Sequence, residues 1–124
     1  MPGVNRFEDL EAWKKSRELV AEIYKISLRG PLNRDFGLKN QLCRAAVSSM
    51  SNIAEGFTRN SDKDFAHFLD IARASVSEVK SLLYVALDVE YIKKDSFQRL
   101  YVLAESAQSL IGGLISYLRQ SPRR

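Results

Sequence analysis

The sequence predicts an all-α protein, folded as an antiparallel up-down-up-down four-helix bundle. Apolar residues recur every three to four positions through four long segments, which is the spacing of an amphipathic helix. Three short breaks in that period separate the segments, and no segment shows the alternation of a strand. Because short connections place consecutive helices side by side in opposite directions, an up-down bundle is the simplest arrangement.

The composition is that of one soluble globular domain. The chain has 124 residues, 45% hydrophobic and 27% charged, which suffices for one core but not for two domains. A single cysteine, Cys43, excludes an internal disulfide and fits a reducing compartment. No apolar run approaches the ~20 residues of a membrane span, and the N-terminus lacks the apolar core of a signal peptide. We therefore expect a cytoplasmic protein without a membrane anchor.

The first helix is predicted to follow residues 1–6, which form a short flexible arm. Asn5 and Glu8 have the spacing of a capping box, and the apolar period then runs through residues 10–26. Gly30-Pro31 is predicted to end this helix, because glycine suits a left-handed cap and proline cannot continue a helix.

The second and third helices meet near residues 56–60. Asn33 is a good N-cap and is predicted to open the second helix, which stops around residues 56–60. Ser61 with Asp64 forms another candidate capping box. The third helix follows, with an apolar stripe over residues 65–87 that is wider than one bundle face requires.

Asp95 is predicted to cap the fourth helix, whose apolar stripe extends over residues 97–118. Gly112-Gly113 falls within it, either as a tolerated weak spot or as the site where a neighbouring helix approaches closely. The bundle is thus expected to span residues 7–120, followed by a basic tail at residues 121–124.

The stretch from Arg44 to Phe57 is unusually small and polar for a core helix. Ser48, Asn52 and Glu55 follow one another at i, i+4 and i+7, so they share one side of the second helix. A buried polar group without a partner costs about 1–3 kcal/mol. The stripe is therefore either exposed to solvent or paired with polar groups elsewhere in the chain.

A second polar pair offers such partners. Ser75 and Glu78 lie at i, i+3 on the third helix, as Asn52 and Glu55 do on the second. We predict a polar network between these helices that sets their register, because buried ion pairs seldom add much net stability. If Glu55 is buried and paired, its replacement by alanine should destabilise the protein by several (~3–5) kcal/mol. The predicted members are Arg44, Asn52, Glu55, Arg73, Ser75 and Glu78.

No group of residues in the sequence predicts catalysis, a metal site or a cofactor. His67 is the only histidine, so the paired Glu-x-x-His motifs of a dimetal bundle are absent. Cys43 has no histidine or second cysteine nearby and is expected to be a small buried side chain. Glu55 and Glu78 could be paired as in a glycosidase, but no sugar-sized groove can be inferred. We therefore predict that the protein is not an enzyme and needs no cofactor.

Several strings resemble a known bacterial family, the four-helix-bundle proteins encoded in 23S rRNA intervening sequences. The most distinctive are Arg44-Ala45-Ala46-Val47-Ser48 and Asn52-Ile53-Ala54-Glu55-Gly56-Phe57. The resemblance continues in Phe7-Glu8-Asp9-Leu10-Glu11-Ala12-Trp13, in Ile71-Ala72-Arg73-Ala74-Ser75 and in Ala86-Leu87-Asp88, so it covers nearly the whole chain. This sequence departs from the family pattern at Ser49-Met50-Ser51, where an Ile-Pro-small run is common.

The resemblance implies an antiparallel four-helix bundle that assembles as a homopentamer around a central channel, with no catalytic residue. The family is similar to the accessory variability determinant proteins of diversity-generating retroelements. Those proteins bind a reverse transcriptase and RNA through basic surface. The resemblance thus implies self-association, with RNA or a nucleic-acid-handling protein such as a reverse transcriptase as the partner.

The charge permits binding of a nucleic acid but does not require it. The net charge is +4 and the pI about 9.3, and five copies would carry roughly +20. The leading prediction is therefore a non-enzymatic oligomer that binds RNA, another nucleic acid or a protein that handles one. A structural protein–protein adaptor is the alternative. The candidate phosphate contacts are Lys14, Lys15, Arg17, Arg59, Lys63, Lys93, Lys94 and Arg99.

Overall fold

A computed structural model describes residues 1–120 of the chain. Within those residues the fold is all-helical, as predicted, with four long helices and one short one. The helices are α1 (Glu11–Ser27), α2 (Gly30–Arg34), α3 (Phe36–Phe57), α4 (Asp62–Asp88) and α5 (Lys94–Gln120). A single 3-10 turn, Phe7–Asp9, precedes α1. The predicted basic tail lies outside the described residues.

The four long helices enclose one hydrophobic core. The most extensive packing joins α3 to α4 and α4 to α5, and α1 packs against both α3 and α5. Each long helix contributes fully buried aliphatic side chains, among them Leu19, Ile53, Leu69 and Ile111. Removing such side chains from water is the main term that stabilises a bundle. The alternating helix directions of the up-down-up-down prediction remain a prediction.

The start of α1 differs from the predicted capping box. Asp9, not Glu8, makes the capping contacts: its carboxylate accepts hydrogen bonds from the backbone N–H groups of Asn5 (3.0 Å) and Arg6 (3.3 Å). The hydrogen bond from Asn5 is the main reason that the pKa of Asp9 is lowered. These contacts close the 3-10 turn, and α1 begins only at Glu11.

The connection between the first two predicted helices contains an additional helix. Gly30 has the expected left-handed backbone (φ +54°), but Pro31 lies in the first turn of α2 instead of preventing a helix. This follows from the preference of proline for the first helical turn, where its missing N–H has no partner to lose. Asn33 therefore lies inside α2. Asp35 caps α3 instead, through a hydrogen bond from the backbone N–H of Leu38 (3.1 Å).

The starts of α4 and α5 lie closer to the positions predicted from the sequence. Ser61 caps α4 as predicted, since its hydroxyl oxygen accepts a hydrogen bond from the backbone N–H of Asp64 (3.1 Å). Helix α5 begins at Lys94, so Asp95, the predicted cap, lies instead in its first turn.

Helices α3 and α4 approach closely where Gly56 of α3 meets Phe65 and Phe68 of α4. A Cβ atom added to Gly56 would lie 2.8 Å from the Cβ atom of Phe68 and 2.9 Å from the Phe65 ring. Real Cβ atoms essentially never show such distances, so a larger residue at position 56 would force the neighbouring atoms to shift. By contrast, Gly113 has no neighbour within 4 Å of an added Cβ, and Gly112 has only the Arg73 guanidinium at 3.8 Å. The close helix approach is thus at Gly56, and the glycine pair of α5 is the tolerated weak spot.

Candidate functional site

A chain of hydrogen bonds crosses from α3 to α4 in the middle of the bundle. The hydroxyl oxygens of Ser48 and Ser75 lie 2.8 Å apart, and the Asn52 amide donates to the Ser48 hydroxyl (3.0 Å) and carbonyl (2.8 Å). Ser75 in turn donates to the carbonyl of Ile71 (3.0 Å). Because a hydroxyl has one proton to donate, Ser48 is the donor to Ser75. We call Ser48, Asn52 and Ser75 the serine cluster.

Two predicted members of this network lie outside it. Glu55 is 53% exposed and forms an ion pair (2.7 Å) with Arg59, which follows the end of α3. Arg73 pairs with Asp70 on its own helix, α4 (2.9 Å). The stripe lies at the border of the helix interface, so the short side chain of Ser48 stays inside while the longer Glu55 reaches solvent. The large destabilisation expected for a buried Glu55 therefore does not apply.

The other two predicted members, Arg44 and Glu78, line a polar groove next to the serine cluster. This groove between α3 and α4 has a volume of about 490 Å³, and Asn40, Gln41 and Ser48 also line it. Neither Arg44 nor Glu78 forms an ion pair or hydrogen bond with another described residue. The groove thus presents opposite charges together with amide and hydroxyl groups.

Most of the predicted phosphate contacts are engaged within the chain. Four form ion pairs with acidic side chains, and Arg17 stacks over the Trp13 ring with its guanidinium carbon 5.6 Å from the ring centroid. The ion pairs are Lys14–Glu11 (3.2 Å), Lys15–Glu18 (3.3 Å), Arg59–Glu55 (2.7 Å) and Arg99–Glu22 (2.7 Å). The hydrogen bond from Arg99 is the main reason that the pKa of Glu22 is lowered. These cations are partly neutralised before any ligand arrives.

The remaining three predicted contacts, Lys63, Lys93 and Lys94, form no ion pair with a described residue. Lys63 lies in the first turn of α4. Lys93 and Lys94 lie where α4 connects to α5, and Lys93 shares a depression of about 230 Å³ with Arg29, which follows α1. Sequence reasoning did not single out Arg29, because it precedes an apparent helix break with no motif around it.

A fourth cation adjoins the same surface. Arg34, also missed from sequence, is close enough to Tyr91 to favour the ionised form of its hydroxyl. The hydrogen bond from Tyr91 to Asp35 is the larger effect and raises the pKa of Tyr91. We call Arg29, Arg34, Lys93 and Lys94 the basic end. None of these four forms an ion pair within residues 1–120.

The structure shows no metal centre among residues 1–120. No three side chains of His, Cys, Asp or Glu are grouped so that they could hold a metal ion there. Cys43 is buried, and His67 is exposed beside the Phe68 ring, with 5.8 Å between the ring centroids. In the same part of the chain, no helix is both long and apolar enough to cross a membrane.

Comparison with known proteins identifies the family. The sequence profile of the 23S rRNA-intervening sequence proteins matches residues 8–113, which is most of the chain. The protein belongs to this family. The match confirms the resemblance seen in the Arg44–Phe57 stretch, and the serine cluster, the polar groove and the basic end all lie within the matched region.

A solved structure supports the fold assignment of this 23S rRNA-intervening sequence protein. The chain is similar to a protein of unknown function from the S23 ribosomal protein family of Bacteroides thetaiotaomicron VPI-5482, with a TM-score of 0.79 and 23% sequence identity. The similarity covers 85% of this chain and 95% of the other. No curated protein matches the chain. At this identity the similarity establishes the fold alone.

Proposed function

We propose that this family member is a non-enzymatic homopentamer of antiparallel four-helix bundles that binds RNA through the basic end. The observation that carries the proposal is the set of unpaired cations at that end. Arg29, Lys93 and their two neighbours are available to phosphate oxygens, whereas four of the originally predicted contacts already face carboxylates. The proposal includes, as a second partner beside RNA, a protein that handles nucleic acid, such as a reverse transcriptase.

Exposed apolar side chains on α5 support self-association. Val102 is 64% exposed, and Leu110 and Tyr117 follow it at helical spacing on the same side. An interface between copies of this chain would remove these three side chains from water. Assembly of five copies would concentrate five basic ends and a total charge of about +20, which favours a polyanion far more than a single chain does.

The RNA-binding proposal is tested by anisotropy titration of the full chain with a fluorescein-labelled RNA at increasing salt. We expect the logarithm of the binding constant to fall with the logarithm of the salt concentration. The paired substitution Lys93→Gln/Lys94→Gln should reduce that slope by about 1.4 for a single strand. The matched control Lys14→Gln/Lys15→Gln removes the same charge from ion-paired positions and should change the slope less. Affinity that stays flat with salt would contradict the proposal.

The assembly is tested separately by sedimentation equilibrium. A pentamer mass is expected, and substitution of Val102 by glutamate should reduce it. A wild-type protein that remains monomeric at micromolar concentration would refute the pentamer.

The second candidate is a protein–protein adaptor with no role in nucleic-acid binding. The polar groove favours it, because Arg44 and Glu78 present unpaired charges of both signs beside amide groups, which suits a polypeptide better than a polyanion. A protein that binds a partner polypeptide, loses that binding in Arg44→Gln and never binds RNA would establish the adaptor instead.

A further inference from the structure

Both apolar and cationic residues line the depression at the basic end. Ile26 and Ile92 contribute aliphatic surface and Tyr91 an aromatic ring, while Arg29 and Lys93 contribute positive charge. Ser96, in the first turn of α5, adds a hydroxyl group. A cation alone can bind phosphate. A cation beside an aromatic ring and aliphatic side chains can bind a nucleotide, because the base stacks on the apolar surface while the cation contacts the phosphate.

Tyr91 is fixed in place by contacts on both sides of the bundle end. Its hydroxyl donates to Asp35 Oδ2 (3.0 Å), while Asp35 Oδ1 caps α3. Its backbone N–H donates to the carbonyl of Ala86 (2.8 Å), which closes the C-terminal turn of α4. The ring is therefore held before any ligand binds, which lowers the entropy lost on association.

The opposite edge of the depression is open. Gly30 has a left-handed backbone, and an added Cβ would meet nothing within 4 Å. Arg29 precedes it and is exposed, and its guanidinium forms no hydrogen bond or ion pair in the described part of the chain. A nucleic-acid strand can therefore pass along this edge with its phosphates near Arg29.

We propose that this depression holds one unstacked base of a single-stranded nucleic acid, with adjacent phosphates at Arg29 and Lys93. The inference rests on the proposed RNA-binding function and names the form of RNA that is bound. The volume of about 230 Å³ lies below the ~300–1,000 Å³ of sites that enclose drug-sized ligands, so it suits a single ring system. A duplex keeps its bases stacked and would offer phosphates only.

Nearby carboxylates make base contact necessary for tight binding. Glu90 and Asp95 flank the two lysines in sequence, and the Asp95 carboxylate accepts a hydrogen bond from the backbone N–H of Ser96 (2.9 Å). Their negative charge offsets part of the attraction for phosphate. Stacking of a base on Tyr91 is insensitive to those charges. Because only an unpaired base can stack there, this contact favours a single strand over a duplex.

The test compares three fluorescein-labelled ligands of equal length by anisotropy, using the full wild-type chain. They are an unpaired RNA 12-mer, the same strand annealed to its complement, and an abasic strand with the same number of phosphates. We expect the unpaired RNA to bind at least ~5-fold tighter than either other ligand, given the usual contribution of stacking. The wild-type protein is used throughout, so folding of a variant does not affect this comparison.

Substitution then locates the site. Arg29→Gln should weaken binding of the unpaired RNA at least ~5-fold, whereas Lys63→Gln, an equally unpaired cation outside the depression, should change it less than ~2-fold. Equal binding of all three ligands, or equal effects of the two substitutions, would overturn this inference while leaving RNA binding intact. Failure of every ligand to bind would overturn the proposed function as well.

Discussion

The hydroxyl of Ser48 on α3 donates a hydrogen bond to the hydroxyl of Ser75 on α4, with 2.8 Å between the oxygens. The two residues are 27 positions apart in sequence, and this contact joins the two helices that pack most extensively. Ser75 is 9% exposed, so its hydroxyl would otherwise have little access to water. The contact therefore gives this buried hydroxyl a partner across the interface between α3 and α4.

Substitution of the two serines should show that they act together. Ser48→Ala and Ser75→Ala should each lower the free energy of unfolding by about 1 kcal/mol, because each leaves its neighbour without one partner. The double substitution should lower it by less than the sum, with a coupling of about 0.5–1 kcal/mol in urea melts. Additive effects would show that the two hydroxyls do not interact. Ser109→Ala, at an exposed position on α5, is the control and should change little.

Two glycine substitutions should have opposite effects. Gly56→Ala should destabilise the protein by about 1–3 kcal/mol, because the added methyl group would overlap the Cβ atom of Phe68 on α4. Gly113→Ala should stabilise it by up to about 1 kcal/mol, because it improves helix propensity in open space. Thermal and urea unfolding measure both. A stabilising Gly56→Ala would mean that α3 and α4 are not in close contact there.

The hydrogen bond between Tyr91 and Asp35 should stabilise the protein at neutral pH and lose this effect at alkaline pH. The bond raises the pKa of Tyr91 above its ordinary value of about 10, so its stabilising effect is complete below pH ~10 and is lost as pH rises through the raised pKa. Tyr91→Phe should therefore lower the urea midpoint at pH 7, and the difference from wild type should shrink above pH ~10.

Tyr24→Phe is the control for that experiment. Tyr24 is 43% exposed and its hydroxyl makes no hydrogen bond with another described residue. Its substitution should leave the urea midpoint unchanged at pH 7. A Tyr91→Phe protein that matches wild type at neutral pH would show that the bond to Asp35 adds no stability.

The C-terminal turn of α4 should tolerate glycine unusually well. Glu90 has a left-handed backbone (φ +63°), and the backbone N–H groups of Glu90 and Tyr91 donate to the carbonyls of Leu87 (3.0 Å) and Ala86 (2.8 Å). This is the Schellman arrangement, in which glycine is the preferred residue. Glu90→Gly should raise the free energy of unfolding by about 0.5–1 kcal/mol.

The matched control is a glutamate-to-glycine substitution in the interior of α4. Glu78 is exposed in the interior of α4 and forms no ion pair with a described residue. Glu78→Gly should lower the free energy of unfolding by about 0.5–1 kcal/mol, because glycine weakens a helix interior. Equal loss of stability at both positions, measured by urea unfolding, would contradict the assigned role of Glu90.

Local chemistry accounts for the parts of the fold that the sequence predicted well. The apolar period and the cap at Ser61 depend on residues three to four apart, so they can be read without knowledge of the fold. Prediction was weaker where two local rules compete. Pro31 can end one helix or begin the next, and the contacts of Leu32, which is fully buried, favour the short helix α2.

The candidate sites were predicted less completely, because they depend on which side chains meet across helices. The sequence indicated Ser75 as a partner for the stripe from Ser48 to Glu55 but not which stripe residue meets it. The contact is made by Ser48, and the acidic end of the stripe faces solvent. The eight predicted phosphate contacts could not be sorted by sequence spacing. Arg99 pairs with Glu22 although 77 positions separate them, and no local pattern reveals such a contact.

By itself, the sequence determined the all-helical fold, the positions of the long helices and the family, because these follow from periodicity, capping residues and distinctive strings. Only the tertiary structure decided that Gly56 is the point of close approach, that Ser48 meets Ser75, and that Arg29 and Lys93 share a depression. The physical reason is that burial, pairing and close contact depend on distances between helices, and these are set by packing of the whole core.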